Sequence, residues 1–291
     1  MSTTISLRRA AYAGAAVIAL ALAGCGGQSG QSAAQDTQPA AQGAAADLPL
    51  VKDGVLTSCA NFGTPPNIFA KEDGTPVGAE VDIAKSMAEE MGLETAFPEY
   101  AFSGLIPALQ AKQCDVIISS LYIKPEREEI ADFVPYLLSG SGVAVSKENP
   151  KNVTGYDDSL CGVRAVGITG ATGASLLEEK AAECKSKGLE PVQVTLLDRS
   201  ADALQQVMAG QSDAFLDTAE LMGYYEKQSN GEFVVVGEPV GQIKIGAATL
   251  KENAELHEAL QEAFNKVVDS GRYAEILKEW GLEAQNIANA S

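Results

Sequence analysis

A chain of 291 residues has room for two domains and a sizeable core. Apolar residues make up 46% and charged residues 21%, an ordinary globular balance. The net charge is −18, from 39 acidic against 21 basic residues. No basic cluster occurs, which argues against nucleic acid as a partner, because phosphates are met by patches of Lys and Arg.

The first element is a targeting segment, residues 1–24. Arg8 and Arg9 form its charged start, and Ala10 to Ala23 is an apolar run too short to span a bilayer comfortably. It ends in Leu22-Ala23-Gly24-Cys25, which resembles a bacterial lipobox. That resemblance implies cleavage before Cys25 and lipidation of Cys25, with several acyl chains holding the protein to the lipid bilayer. Gly26 to Asp47 has almost no large apolar residues, cannot offset its chain entropy by burial, and reads as a tether. The lipidated Cys and linker together cover 25–53.

Leu56 to Ala60 is a short strand candidate, followed by a Gly/Pro-rich loop from Asn61 to Phe69 and a hairpin-type turn at Glu72-Asp73-Gly74. Val81, Ala84, Met87, Ala88 and Met91 fall at helical spacing, with Gly92 where a C-terminal cap belongs. Asp82 reads as a helix-start acid facing the positive helix end. Ser103 is an N-cap candidate for a short helix through Lys112, with Phe102 just ahead of it. Val116-Ile117-Ile118 suits a buried parallel strand. Ser119, Ser120, Leu121 and Tyr122 follow at its carboxyl end, where open α/β sheets bind ligands. Pro125 suits the first turn of a short helix that brings Arg127 near the strand end. The Arg127 fork can grip a carboxylate through two hydrogen bonds, or it pairs with Glu128, Glu129 or Asp132 on the surface.

The stretch SSLYIKPEREEIADFVPYLLSG resembles the strand–turn–helix of the amino-acid-type solute-binding proteins of ABC importers. Their pattern is a small-residue strand end, then T-x-E-R or T-P-E-R, then an F-S-x-P-Y-like segment. Phe133-Val134-Pro135-Tyr136 matches the last piece with one residue missing. The resemblance runs from about Leu56 to Leu282. It implies that Arg127 binds the ligand's α-carboxylate, beside Ser120 and Tyr122. FSGLIPAL, from Phe102, is similar to the family's F-D-G-L-I-P-A-L, which implies that Phe102 packs on the ligand. In the loop after the first strand, Asn61 and Thr64 stand where the family often has an acid and an aromatic. Phe62 is the substitute stacking face. These departures bear on the class of ligand side chain.

In the second half, small residues Ser139 to Gly142 precede Val143-Ala144-Val145 and suit a crossing between lobes. Leu160 to Ala174 reads strand, glycine-rich loop, helix start. The spacing G-x-x-x-x-G-K-[ST] of a phosphate loop is missing, because Gly167 and Gly173 are six apart with no Lys after. The stretch resembles the family's L-C-G-K-x-V-A-V-Q-x-G-T-T-x-E, which places Thr172 on the ligand carboxylate opposite Arg127. Asp198 to Gly210 reads as a capped amphipathic helix and Asp213 to Asp217 as a short strand. The resemblance puts an ammonium-binding acid at its end. An ungapped match lands on Thr218, with Asp217 one residue early. Phe233 to Val236 is a strand, Ile243 to Leu250 a second crossing, and two amphipathic helices follow, ending at Trp280-Gly281. His257 reads as a surface residue.

The expected fold is α/β, a two-lobed periplasmic-binding-protein fold (type II, Venus-flytrap) with a flanked sheet in each lobe and two crossover strands. Lobe 1 is 54–140 plus 248–284, lobe 2 is 141–247, and 285–291 is a C-terminal tail. Four cysteines besides Cys25 permit three pairings. The lobe arrangement favours Cys59–Cys114 and Cys161–Cys184, each within one lobe. Closing the second loop is worth about 3 kcal/mol on the chain-entropy model. No catalytic group, metal or cofactor is expected. The targeting segment and lipobox imply an exported protein held by lipid to the outer face of the cell membrane or on its periplasmic side, and a monomer is expected. The family resemblance implies that it captures an amino acid or related small carboxylate by hinge closure and delivers it to an ABC permease. The alternatives are an enzyme on this scaffold, dehydratase-like, with Asp217 or Glu220 as acid or base, and a ligand sensor.

Overall fold

The computed structural model describes residues 48–289. The targeting segment, Cys25 and the tether up to residue 47 lie outside the described residues, so the expectations placed on them rest on sequence alone.

Two long strands organise the molecule. β7 (Ala131–Ser146) and β11 (Phe233–Leu250) run antiparallel side by side and carry the chain from one half of the protein to the other and back. On one side of this pair lie β1 (Val55–Cys59), β5 (Glu94–Ala96) and β6 (Val116–Ile117). On the other lie β8 (Arg164–Ile168), β9 (Gln193–Leu197) and β10 (Ala214–Thr218). The sheet order is β5-β1-β6-β11-β7-β10-β8-β9, so the two half-sheets share the crossing pair as their middle. β1 is parallel to β5 and β6, and β8 is parallel to β9 and β10. A small second sheet of β2 (Gly63–Thr64), β3 (Ile68–Ala70) and β4 (Pro76–Val77) forms around the expected hairpin turn. The α/β, two-lobed architecture is as expected. The two crossings, each expected as a short strand, are continuous strands of 16 and 18 residues.

Helices cover both half-sheets. α1 (Ala79–Glu90), α7 (Ala254–Asp269) and α8 (Arg272–Trp280) bury Ile83, Met87, Leu260, Phe264 and Ile276 against one face of the first half-sheet. α2 (Leu105–Gln110) covers the other face with Leu105 and Leu109. In the second half, α4 (Thr172–Ser186) lies on one face, and α5 (Ser200–Met208) with α6 (Ala219–Gln228) on the other. Disulfides join Cys59 to Cys114 and Cys161 to Cys184, with Cα atoms 5.6 Å apart in both. The pairs are those expected.

Local details differ from the expectations. Ser103 does not cap α2. It sits inside a 3-10 turn, Phe102–Gly104, and Gly104 precedes the helix. Asp198 does not cap α5, whose N-terminal flank is Arg199. Asp82 lies in the first turn of α1, as expected, and also accepts a hydrogen bond from Trp280 Nε1 at 2.8 Å, which ties the half-buried last residue of α8 to α1. His257 is half-buried on α7, and its Nδ1 has no hydrogen-bond partner among the described residues.

Candidate functional site

The carboxyl end of β6 builds one wall of the cleft between the half-sheets. Ser120 takes a left-handed backbone, φ 48°, which turns the chain out of the strand. Tyr122 then bridges to Ile245 on β11, and the short helix α3 (Pro125–Glu128) starts with Pro125, as its fixed φ favours. This brings Arg127 back over the strand end, where Nη1 donates to the Tyr122 carbonyl at 2.8 Å. The Arg127 guanidinium carbon lies 5.8 Å from the centre of the Phe102 ring. That distance suits a cation–π contact, so Phe102 forms the floor beneath the cation.

The second wall comes from helix starts and a strand end. Thr172 and Gly173 open α4, Ser200 opens α5, and Asp217 and Thr218 end β10. Gly173 lies so close to β10 that a Cβ there would stand 2.2 Å from the Leu216 carbonyl oxygen. The helix start therefore seats directly on the strand end that carries Asp217. The walls meet: Arg127 Nη2 donates to the Gly170 carbonyl at 3.3 Å, and a Cβ at Gly170 would come within 3.2 Å of Ser103 Cα. Ser103 thus belongs to the contact between halves, not to a helix cap.

Between the walls lies about 410 Å³ of atom-free space, counting its open mouth. Seven of the eight residues singled out from sequence line it: Asn61, Phe102, Ser120, Tyr122, Arg127, Thr172 and Asp217. Phe62 does not. The turn at Phe62 carries its ring away to the cluster of Ala60, Ile68 and Val81 and to a wider outer groove, so the aromatic residues lining the cleft are Phe102 and Tyr122. Thr64, Ser141, Gly173, Ser200 and Thr218 complete much of the remaining lining. Of these, only Thr64 and Thr218 stood at family motif positions, and the others are brought in by helix starts and the crossing strand.

The electrostatics are those of separated charges. Among the described residues, none of Glu80, Arg127, Asp217 or Glu220 takes part in an ion pair. The surface pairing considered for Arg127 is therefore not formed. Burial lowers its pKa, and the charge of Glu126 partly offsets that. Asp217 is pushed up to about 6 by burial, against the pull of the Thr218 amide, which donates to its Oδ1 at 2.7 Å. Glu220, at the start of α6, is pushed up to about 7, again by burial. Ser139 Oγ donates to Glu220 Oε2 at 2.7 Å, and the Tyr122 hydroxyl reaches Ser139 Oγ and the Gly140 carbonyl, both at 2.9 Å. A polar chain thus ties the cleft wall to the crossing strand and to α6. One half supplies an unpaired cation and the other an unpaired acid, so the cleft suits a small molecule bearing a carboxylate at one end and a donor at the other. No group of three or more His, Cys, Asp or Glu placed to hold a metal occurs among the described residues.

The model of the bacterial extracellular solute-binding proteins, family 3, matches residues 56–283. The chain belongs to that family. Among relatives of this solute-binding protein, the arginine-binding protein ArgT of Corynebacterium glutamicum is 30% identical over 237 residues, 80% of this chain and 76% of that one. The glutamine-binding protein GlnH of Bacillus subtilis is 28% identical over 270 residues, 91% of this chain and 93% of that one. The structure of an ancestral arginine-binding protein bound to arginine superimposes with a TM-score of 0.72 at 31% identity, covering 78% of this chain and 98% of that one. No described helix of the solute-binding protein is long and apolar enough to cross a membrane.

Proposed function

We propose that this solute-binding protein captures a free α-amino acid, with the carboxylate on Arg127 and the ammonium at Asp217. The observation that carries this is the pairing, among the described residues, of a guanidinium with no ion-pair partner on one wall with an acid equally unpaired on the other. Phe102 packs under the ligand, Ser120 and Tyr122 flank its carboxylate, Asn61 borders it, and Thr172 adds a hydroxyl and amide from the second wall. Residues 54–140 with 248–284 move as one lobe and 141–247 as the other, hinged where β7 and β11 cross. A ligand that touches both walls favours the closed form. Export, a lipid anchor at Cys25 and delivery of the ligand to an ABC permease complete the role, for a protein acting as a monomer. The family membership, the amino-acid-binding relatives and the L-A-G-C sequence support this.

A thermal-shift screen of the twenty amino acids, with simple organic acids and opines alongside, tests the ligand class. A ligand at one hundred times its dissociation constant adds about 2.7 kcal/mol, a rise of several degrees in Tm. The expected result is a rise with at least one α-amino acid. A rise only with acids that lack the ammonium overturns the role of Asp217. Asp217 also keeps a second reading open, since a cleft acid near pKa 6 suits general acid–base chemistry. Conversion of a bound amino acid into product would replace capture with catalysis.

A further inference from the structure

Behind the wall that holds Arg127, Glu80 on α1 is fully buried. Its Oε1 accepts from the Ser120 amide at 2.7 Å and from the Tyr136 hydroxyl at 2.8 Å, and lies 3.2 Å from Ser120 Oγ. Among the described residues, its Oε2 meets only Ser120 Oγ, also at 3.2 Å. On its other side, Ser120 Oγ accepts from Asn67 Nδ2 at 3.2 Å. A hydroxyl oxygen has one proton and two lone pairs. Asn67 takes one lone pair, Glu80 faces a second direction, and the third is left for the cleft that Ser120 lines.

The direction toward Glu80 can be filled in two ways. An ionised carboxylate is an acceptor only, so it takes the Ser120 proton and leaves a lone pair facing the cleft. A carboxylic acid protonated on Oε2 donates to Ser120 Oγ, and the Ser120 proton then turns into the cleft. We propose that Glu80 is a positioning residue that sets whether Ser120 offers the ligand a hydrogen-bond donor or a lone pair, and so how tightly the ligand's carboxylate is held. The inference rests on the reading that a carboxylate sits at Arg127.

The surroundings keep both forms within reach near neutral pH. Burial raises the Glu80 carboxyl to about 7, against the pull of the Tyr136 and Ser120 hydrogen bonds. Tyr136 faces it from β7, with Tyr273 of α8 bonded to the Tyr136 carbonyl. The Glu220 charge on α6 pushes in the same direction as burial. Asp82, on the same helix, is engaged with Trp280. Raising the pH from 6 to 8 therefore removes most of the Ser120 donor and weakens carboxylate binding several-fold, toward the roughly ten-fold that one hydrogen bond to a charged group is worth. Asp217 acts with the opposite sign, because its protonation removes the ammonium's partner as pH falls.

Two measurements test this on the purified protein. In the ligand-free ¹⁵N-labelled chain, the Ser120 amide resonance is expected to titrate with a midpoint near pH 7, and to stay fixed in Glu80→Gln. A Gln there accepts from the Ser120 amide and Tyr136 through its oxygen and donates permanently to Ser120 Oγ. Calorimetric titration with L-arginine is expected to show a net weakening of a few-fold in the wild type between pH 6 and 8, the Glu80 effect reduced by the opposite effect of Asp217. Glu80→Gln should lack it, and so should Ser120→Ala, which serves if the first variant does not fold. A Ser120 amide that does not move between pH 5.5 and 8.5, or a variant that keeps the wild-type slope, overturns the inference. If L-arginine does not bind, the amino acid found by the screen replaces it in the same calorimetric titration, and a Ser120 amide that stays fixed overturns the inference without any ligand.

Discussion

At the scale of the residue, Arg127 carries the most weight. Its guanidinium is held by two backbone carbonyls, one on each wall, and by the Phe102 ring, with no ion-pair partner among the described residues. Holding a desolvated charge costs about as much as those contacts return, so the side chain contributes little to the free protein. A bidentate carboxylate would add two charge-assisted hydrogen bonds, worth about 3 kcal/mol or more together. Arg127→Ala is therefore expected to weaken amino-acid binding at least 100-fold, while the ligand-free Tm moves by less than about 2 °C. Calorimetric titration and differential scanning of the same sample measure both. A large drop in Tm would mark Arg127 as a structural residue instead. Arg127, Phe102 and Thr172 were legible in the sequence because they stand within motifs of fixed spacing. Glu80 was not, since an acid in the first turn of a helix satisfies the helix dipole and draws no further attention. Only the fold places Ser120 and Tyr136 against it.

At the scale of the element, the seat of α4 on β10 fixes the second wall. Gly173 is the residue that permits it, because any side chain there meets the Leu216 carbonyl at 2.2 Å. Gly173→Ala must push the helix start off the strand end, and both Thr172 and Asp217 move with it. The expected cost is about 1–3 kcal/mol of stability from overpacking, with a loss of affinity beyond that of a buried change elsewhere. Gly223→Ala is the matched control. It lies inside α6 with nothing within 4 Å of a Cβ, so it should raise stability by about 0.5–1 kcal/mol and leave affinity alone. Urea unfolding of the three proteins, read beside ligand titrations, separates these outcomes. Equal effects of the two changes would mean that the close approach does not hold the wall. The same region shows where the sequence was hard to read. β6 announces itself as an apolar run, and β1 and β8 carry buried Val, Leu or Ile with small residues between. β9 is half exposed at the sheet edge, and α6 mixes Gly223 and two tyrosines with a weak apolar face, so neither was expected as an element.

At the scale of the whole molecule, three carboxyls are buried where the halves meet or just behind: Glu80, Asp217 and Glu220, raised to about 7, 6 and 7 mainly by burial. Each binds its proton more tightly folded than unfolded, where ordinary values near 4 apply. Between about pH 4.5 and 7 the native state therefore holds more protons than the unfolded chain, and stability falls as pH rises through that window. The net charge of −18 adds self-repulsion of the same sign. Most globular proteins with salt-bridged carboxylates behave the other way in this range, gaining stability as acids ionise. The ligand-free protein is expected to lose several degrees of Tm between pH 5.5 and 8, followed by scanning calorimetry in buffers of matched ionic strength. Glu220→Gln should remove part of that slope, because its amide needs no ionisation at the Ser139 contact. The remaining slope belongs to Glu80, Asp217 and the self-repulsion. An amino acid bound at Asp217 should flatten it further, since an ammonium beside that carboxylate makes its charge favourable. A Tm that rises steadily from pH 5.5 to 8 in the ligand-free protein would show that these acids are already ionised in the fold. It would then remove the basis for treating the junction between the halves as a cluster of uncompensated acids.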